Sequence, residues 1–170
     1  MRFFSKTRTV WLVAALAAAL TIPLAASAAV RKGEQAPPLK VVSTAGQNIT
    51  LANYQGHVLV LDFFASWCGP CRESIPHLVE LNSRYGRQGL QILGLSADED
   101  RVAVKEFIAE KKINYPVAMT NDKLLDDYAV RSIPTLYVIN KKGVVVGRFM
   151  GFSDETAKSM EAQIKKLLAE

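Results

Sequence analysis

The chain has 170 residues, 49% hydrophobic and 22% charged. That balance fits one globular domain and excludes a disordered chain, a collagen-like fibre or a multi-span membrane protein. The formal net charge is +5, but Arg2, Lys6 and Arg8 stand unopposed in the first 28 residues, which leaves 18 basic against 16 acidic groups beyond them. No basic cluster of the kind a nucleic-acid footprint needs is present, so no nucleic-acid partner is expected.

Residues 1–28 read as a secretory signal peptide: a basic start, an alanine-rich apolar stretch over residues 10–20, Pro23, and the small-residue site Ala26-Ser27-Ala28. The alternative is an uncleaved anchor, because residues 9–30 carry no charge and 22 residues can span a bilayer of ~30 Å. Either outcome carries residues 29–170, the expected folded domain, into the periplasm or another extracytoplasmic space, free or tethered to the membrane. A monomer is expected.

Two extended runs, residues 40–43 and 48–51, flank Ala45-Gly46 and predict a hairpin. Residues 58–65 (VLVLDFFA) form an almost continuous apolar, β-rich run, the pattern of a strand covered on both faces. From Cys71 the period becomes helical through Ile75, Leu78, Val79 and Tyr85, with Pro76 predicting a kink. Residues 90–95 give a second buried strand. Val104, Phe107 and Ile108 mark a helix begun by the acidic run at residues 98–100. Residues 117–119 predict a short strand and 124–128 a short helix. Residues 135–139 and 144–150 pair across Asn140-Lys141-Lys142-Gly143, and a last helix opens near Ser153, with Asp154 and Glu155 favouring its positive end. Strands alternate with helices and an antiparallel pair closes the sheet edge, so the class is α/β with a central mixed sheet flanked by helices.

Cys68 and Cys71 are the only cysteines. Their i, i+3 spacing at a helix start puts the Cα atoms within disulfide reach. A structural staple is a poor explanation, because the closed loop is minimal and a domain of ~140 residues folds without one. A zinc site needs more ligands than two thiols, and neither a second cysteine pair nor a histidine pair is present. The remaining reading is a redox pair. Cys68 would present its sulfur to the free N–H groups and positive end of the helix, which stabilise a thiolate. Pro70 suits the first turn, Gly69 lets it close without a side chain over the sulfur, and Cys71, one turn in, would resolve the mixed disulfide. Asp62 is a lone carboxylate in the apolar run; buried there, its pKa would rise and it could take the proton from Cys71.

These residues resemble the thioredoxin superfamily, in particular its exported TlpA/ResA-like branch. Trp67-Cys68-Gly69-Pro70-Cys71 matches the active-site motif, Asp62 the buried acid, and Ser132-Ile133-Pro134-Thr135 the loop whose proline is cis and faces the cysteines. Gly151 fits the third loop of the substrate groove. Gly33-Glu34-Gln35-Ala36-Pro37, residues 51–56 and the helical segment 98–120 match the branch. Ser74 stands where many members carry Glu, and Asp62 where many carry Asn, which leans the surroundings towards general thioredoxin chemistry. The resemblance implies a thioredoxin-like fold and a Cys68–Cys71 disulfide. It also implies a groove formed by Trp67, Gly69, Pro70, Ile133, Pro134 and Gly151, protein thiols and disulfides as partners, and a membrane electron donor. No cofactor or metal is implied. The expected activity is extracytoplasmic thiol–disulfide exchange, most simply reduction of protein disulfides, with cytochrome c maturation the role the branch suggests. The alternatives are an exported copper metallochaperone using the same thiolates, and a thiol peroxidase.

Overall fold

The computed structural model describes residues 30–170; the leader expected over residues 1–28 lies outside them. In chain order the elements are β1 (Lys40–Val42), β2 (Asn48–Thr50), β3 (Val58–Phe64), α1 (Gly69–Tyr85), β4 (Leu90–Ser96), α2 (Arg101–Glu110), β5 (Val117–Met119), α3 (Asp122–Asp127), β6 (Thr135–Ile139), β7 (Val145–Met150) and α4 (Asp154–Leu168). Short 3₁₀ turns lie at Leu51–Tyr54 and Gly86–Gln88.

β3 is the axis of the fold because all of its side chains are apolar except one, and all are buried. A strand of that kind has to lie inside a sheet with both faces covered. It does so in a five-stranded sheet of order β5-β4-β3-β6-β7, with β3, β4 and β5 parallel and β6 and β7 antiparallel to their neighbours. Val58, Val60 and Phe64 face a cluster with Ile75 and Leu78 of α1 and Ile164 of α4. Leu59, Leu61 and Phe63 face the opposite cluster, where Tyr128 and Tyr137 pack with the β1–β2 hairpin.

The N-terminal segment covers both outer edges of this sheet. On the β7 side Gly33 N–H donates to Val145 O at 2.8 Å and Gln35 bridges Val144. On the β5 side Thr44 N–H donates to Val117 O at 2.7 Å and Ser43 bridges Ala118. Exposed strand edges invite pairing with other chains, and here parts of both are occupied from within.

Helix starts follow the capping residues. Asp100 accepts from Val102 N–H, Asn121 from Leu124 N–H and Ser153 from Thr156 N–H. The Asn121 cap explains why α3 begins at Asp122 rather than at Leu124, and only the last residue of the acidic run 98–100 serves as a cap. Pro76 has no N–H for the Arg72 carbonyl, yet α1 runs unbroken from Gly69 to Tyr85.

Tyr128 links the two halves of the chain: its hydroxyl donates to Pro37 O at 2.7 Å, and its own carbonyl accepts from the Tyr137 hydroxyl. Tyr128→Phe keeps the ring and leaves the Pro37 carbonyl unpaired. Urea unfolding should show a loss of about 1–3 kcal/mol, and unchanged stability would mean that the segment is held by its backbone bonds alone.

Candidate active site

Cys68 is the N-cap of α1, with extended backbone (φ −82°, ψ 113°), and its sulfur accepts from the Cys71 N–H at 3.3 Å. The helix starts here because Pro70 occupies the first turn, where an N–H would be an orphan anyway. The two sulfurs are bonded and the Cα atoms are 5.2 Å apart. Cys71 is fully buried, whereas Cys68 keeps 6% of its surface. Trp67 beside it is 71% exposed. A Cβ on Gly69 would meet nothing within 4 Å. The turn therefore does not need glycine for room.

The turn is held from behind by Asp98, which sequence reasoning assigned only to a helix start. Its carboxylate accepts from Ser66 N–H at 2.9 Å, from the Ser66 hydroxyl at 2.6 Å and from the Ser96 hydroxyl at 2.6 Å. Arg72 closes the other side: it donates to Ser66 O at 3.1 Å, pairs with Glu110 of α2 and lies over the Phe107 ring at 5.0 Å. Arg72 is thus a tie between the turn and α2 as well as a neighbouring charge. Ser74, also buried, donates to Cys71 O at 3.1 Å. Serines flanking a strand end carry no periodic signal, so neither Ser66 nor Ser96 was visible as a partner for Asp98.

The second wall comes from the chain ahead of β6. Thr135 pairs with Phe63 near the end of β3 and with Met150 at the end of β7. The loop before it therefore sits beside the cysteine turn. The Ile133–Pro134 bond is cis, and Ile133 packs against the cluster that contains both cysteines. Gly151, at φ +71°, donates its N–H to Pro134 O at 2.9 Å. That left-handed conformation suits glycine. Met150, 62% exposed, adds an apolar side chain to this rim. Trp67, Gly69, Pro70 and the cysteines thus lie on one turn, with Ile133, Pro134 and Gly151 on its neighbour.

Beneath them is Asp62. It lies on the same face of β3 as Val60 and Phe64, the face covered by α1. The residue is fully buried and neither carboxyl oxygen has a hydrogen-bond partner. Loss of water around the charged form pushes its pKa from 3.8 up to about 7.

A cysteine pair at a helix N-terminus, on the face of the sheet that also carries a buried carboxyl, suits thiol–disulfide exchange, and the relatives agree. The Redoxin family model matches residues 31–168. The chain belongs to the Redoxin family. Among its relatives are the thiol-disulfide oxidoreductase ResA of Bacillus cereus, 33% identical over 136 residues that cover 79% of this chain and 78% of the relative, and ResA of Bacillus subtilis, 30% identical over 128 residues that cover 75% and 72%. The crystal structure of a thiol:disulfide interchange protein of the thioredoxin family from Chlorobium tepidum superposes with a TM-score of 0.73 at 27% identity, covering 82% of this chain and 99% of that one. This Redoxin-family member is a thiol–disulfide oxidoreductase of TlpA/ResA-like, thioredoxin-superfamily type.

The Asp62 carboxyl carries a stability cost with a defined pH window. Its pKa is higher in the fold than the ordinary 3.8, so the folded state holds a proton that the unfolded chain releases. The contribution is most favourable below pH 3.8 and is lost as pH rises to about 7, a span worth about 4 kcal/mol. Asp62→Asn has no charge to bury, although its amide still does, so it should gain about 2–4 kcal/mol at pH 8 and little at pH 4. Urea midpoints across that range check it; equal gains at both ends would mean that the carboxyl is not buried as a charge.

Proposed function

We propose that the chain works outside the cytoplasm as a reductant of protein disulfides, with Cys68 as the attacking sulfur, Cys71 as the resolving thiol and Asp62 as the proton acceptor. The observation that carries this reading is the asymmetry at the start of α1. Cys68 has the outer sulfur, held against backbone N–H and the positive end of the helix, whereas Cys71 is sealed beneath it.

In the dithiol form the Cys68 thiolate attacks one sulfur of a client disulfide. That S–S bond breaks, the first client sulfur leaves as thiolate, and a Cys68–client disulfide forms. Cys71 then gives its proton to the Asp62 carboxylate and attacks the Cys68 sulfur. The second client sulfur leaves, and the Cys68–Cys71 disulfide remains. Two electrons have passed to the client. An acid with a pKa of about 7 can accept a proton in this step and release it afterwards. Trp67, Gly69, Pro70, Ile133, Pro134 and Gly151 form the groove in which the client disulfide is presented. Regeneration needs a two-electron donor, and in an oxidising compartment a membrane reductant is the fitting source. The basic leader with its Ala26-Ser27-Ala28 site and the likeness to ResA support export, with the domain free or tethered. The Gly69-Pro70 dipeptide, as in reducing thioredoxins, supports the direction; cytochrome c maturation is one client pathway this chemistry could serve.

Cys71→Ala should stop the reaction halfway and accumulate mixed disulfides on Cys68 in whole cells, while Cys68→Ala should trap little. Mass spectrometry of the adducts names the clients, and equal trapping by the two variants would break the assignment of roles. The reduction potential decides direction: ~−270 mV fits a reductant, ~−120 mV an oxidant.

A further inference from the structure

Asp62 is not the only buried polar group without a partner on its face of the sheet. The Tyr115 hydroxyl, in the segment between α2 and β5, is also buried and unpaired. Tyr115 belongs to the cluster that covers Val60 and Phe64. The β3–β4 register sets Gly94 directly beside Asp62. A Cβ on Gly94 would come within 3.1 Å of Phe64 Cε1 and Val117 Cγ2 and 3.4 Å of Tyr115 Cε2. The glycine is therefore a notch over which the tyrosine ring reaches towards the neighbouring strand. The charge of Asp62 is felt there, since burial first and that carboxylate second push the Tyr115 hydroxyl well above its ordinary acidity range.

Few other ionisable groups face this spot. α1 contributes Cys68 and Cys71, and Tyr85 at its far end gives its hydroxyl to Glu161 at 2.7 Å. Gly94 and Leu136, the residues paired with Asp62 on β4 and β6, carry no ionisable group. α2 presents Val104 and Phe107, and α4 presents Met160 and Ile164. Arg72, over the Phe107 ring, is spent on Glu110 and Ser66.

We propose that Tyr115 is a positioning residue of the redox site, its hydroxyl donating to the Asp62 carboxylate across one bridging water, so that more of the acid is charged when Cys71 must lose its proton. A phenol can donate and, at working pH, carries no charge of its own to be buried. A donor to the ionised carboxyl favours that form and holds its pKa down against burial.

The proposal rests on Asp62 as proton acceptor, and the test separates the two. The Asp62 carboxyl is titrated by carbon-13 NMR in the disulfide form, independently of turnover, in the native chain and in Tyr115→Phe. Loss of a charge-assisted hydrogen bond should move its midpoint up by about one pH unit. A one-unit rise lowers the ionised fraction below the midpoint by up to about ten-fold, and disulfide reduction should fall with it, the loss narrowing at alkaline pH. In an Asp62→Asn background Tyr115→Phe should have no further effect on the pH profile. Placing 3-fluorotyrosine at position 115 alone, a stronger donor of nearly the same size, should move the midpoint down, which keeps the test alive if Tyr115→Phe folds poorly. A midpoint that neither change moves overturns the proposal. A midpoint that moves while Asp62→Asn leaves turnover untouched overturns the role of Asp62 and with it the positioning role, but not the hydrogen bond.

Discussion

The arrangement depends on a single carboxyl group shut away from water in the middle of an apolar strand. To bury Asp62, β3 has to run through the centre of the sheet with a helix across its face, and α1 is that helix. The same packing brings the first turn of α1 to the end of β3, where Cys68 caps it. The acid, the helix start and the cysteine pair are thus consequences of one topological choice. Desolvation that would be a defect elsewhere sets the acid's proton affinity near neutrality. Its energetic cost is carried by the surrounding apolar burial of Val58, Val60, Phe64, Ile75 and Leu78.

Much of this was legible in the chain itself. The VLVLDFFA run announced a strand covered on both faces, and the cysteine spacing announced a helix start, because both are local patterns with a physical period. The antiparallel pair around Asn140 and Gly143 and the strand at residues 117–119 were equally local. What the sequence withheld is what depends on distant residues meeting. Asp98 looked like one of three acids ahead of a helix, and only the fold brings it against Ser66, 32 positions away. Arg72 likewise meets Glu110 and Phe107 only because α2 packs beside the turn. Tyr115 carried no signal, because its meaning lies in a glycine on another strand.

The segment 98–120 is part of the site's framework. It carries Asp98 beneath the turn, Glu110 against Arg72 and, as β5, the outer strand of the parallel half of the sheet. It supplies much of the polar scaffolding around an otherwise apolar site. Changes within it would reach the cysteines through Ser66 and Arg72 before they reached them through the core.

The route of the N-terminal segment has a consequence for orientation. Residues 33–36 bind the far end of the β6–β7 hairpin, where Ala36 N–H donates to Gly143 O at 2.9 Å. The cysteine turn lies beside Thr135 at the other end of β6, about 17 Å away along five residues of strand. Whatever chain precedes Val30 therefore joins the domain at the pole opposite the sulfurs.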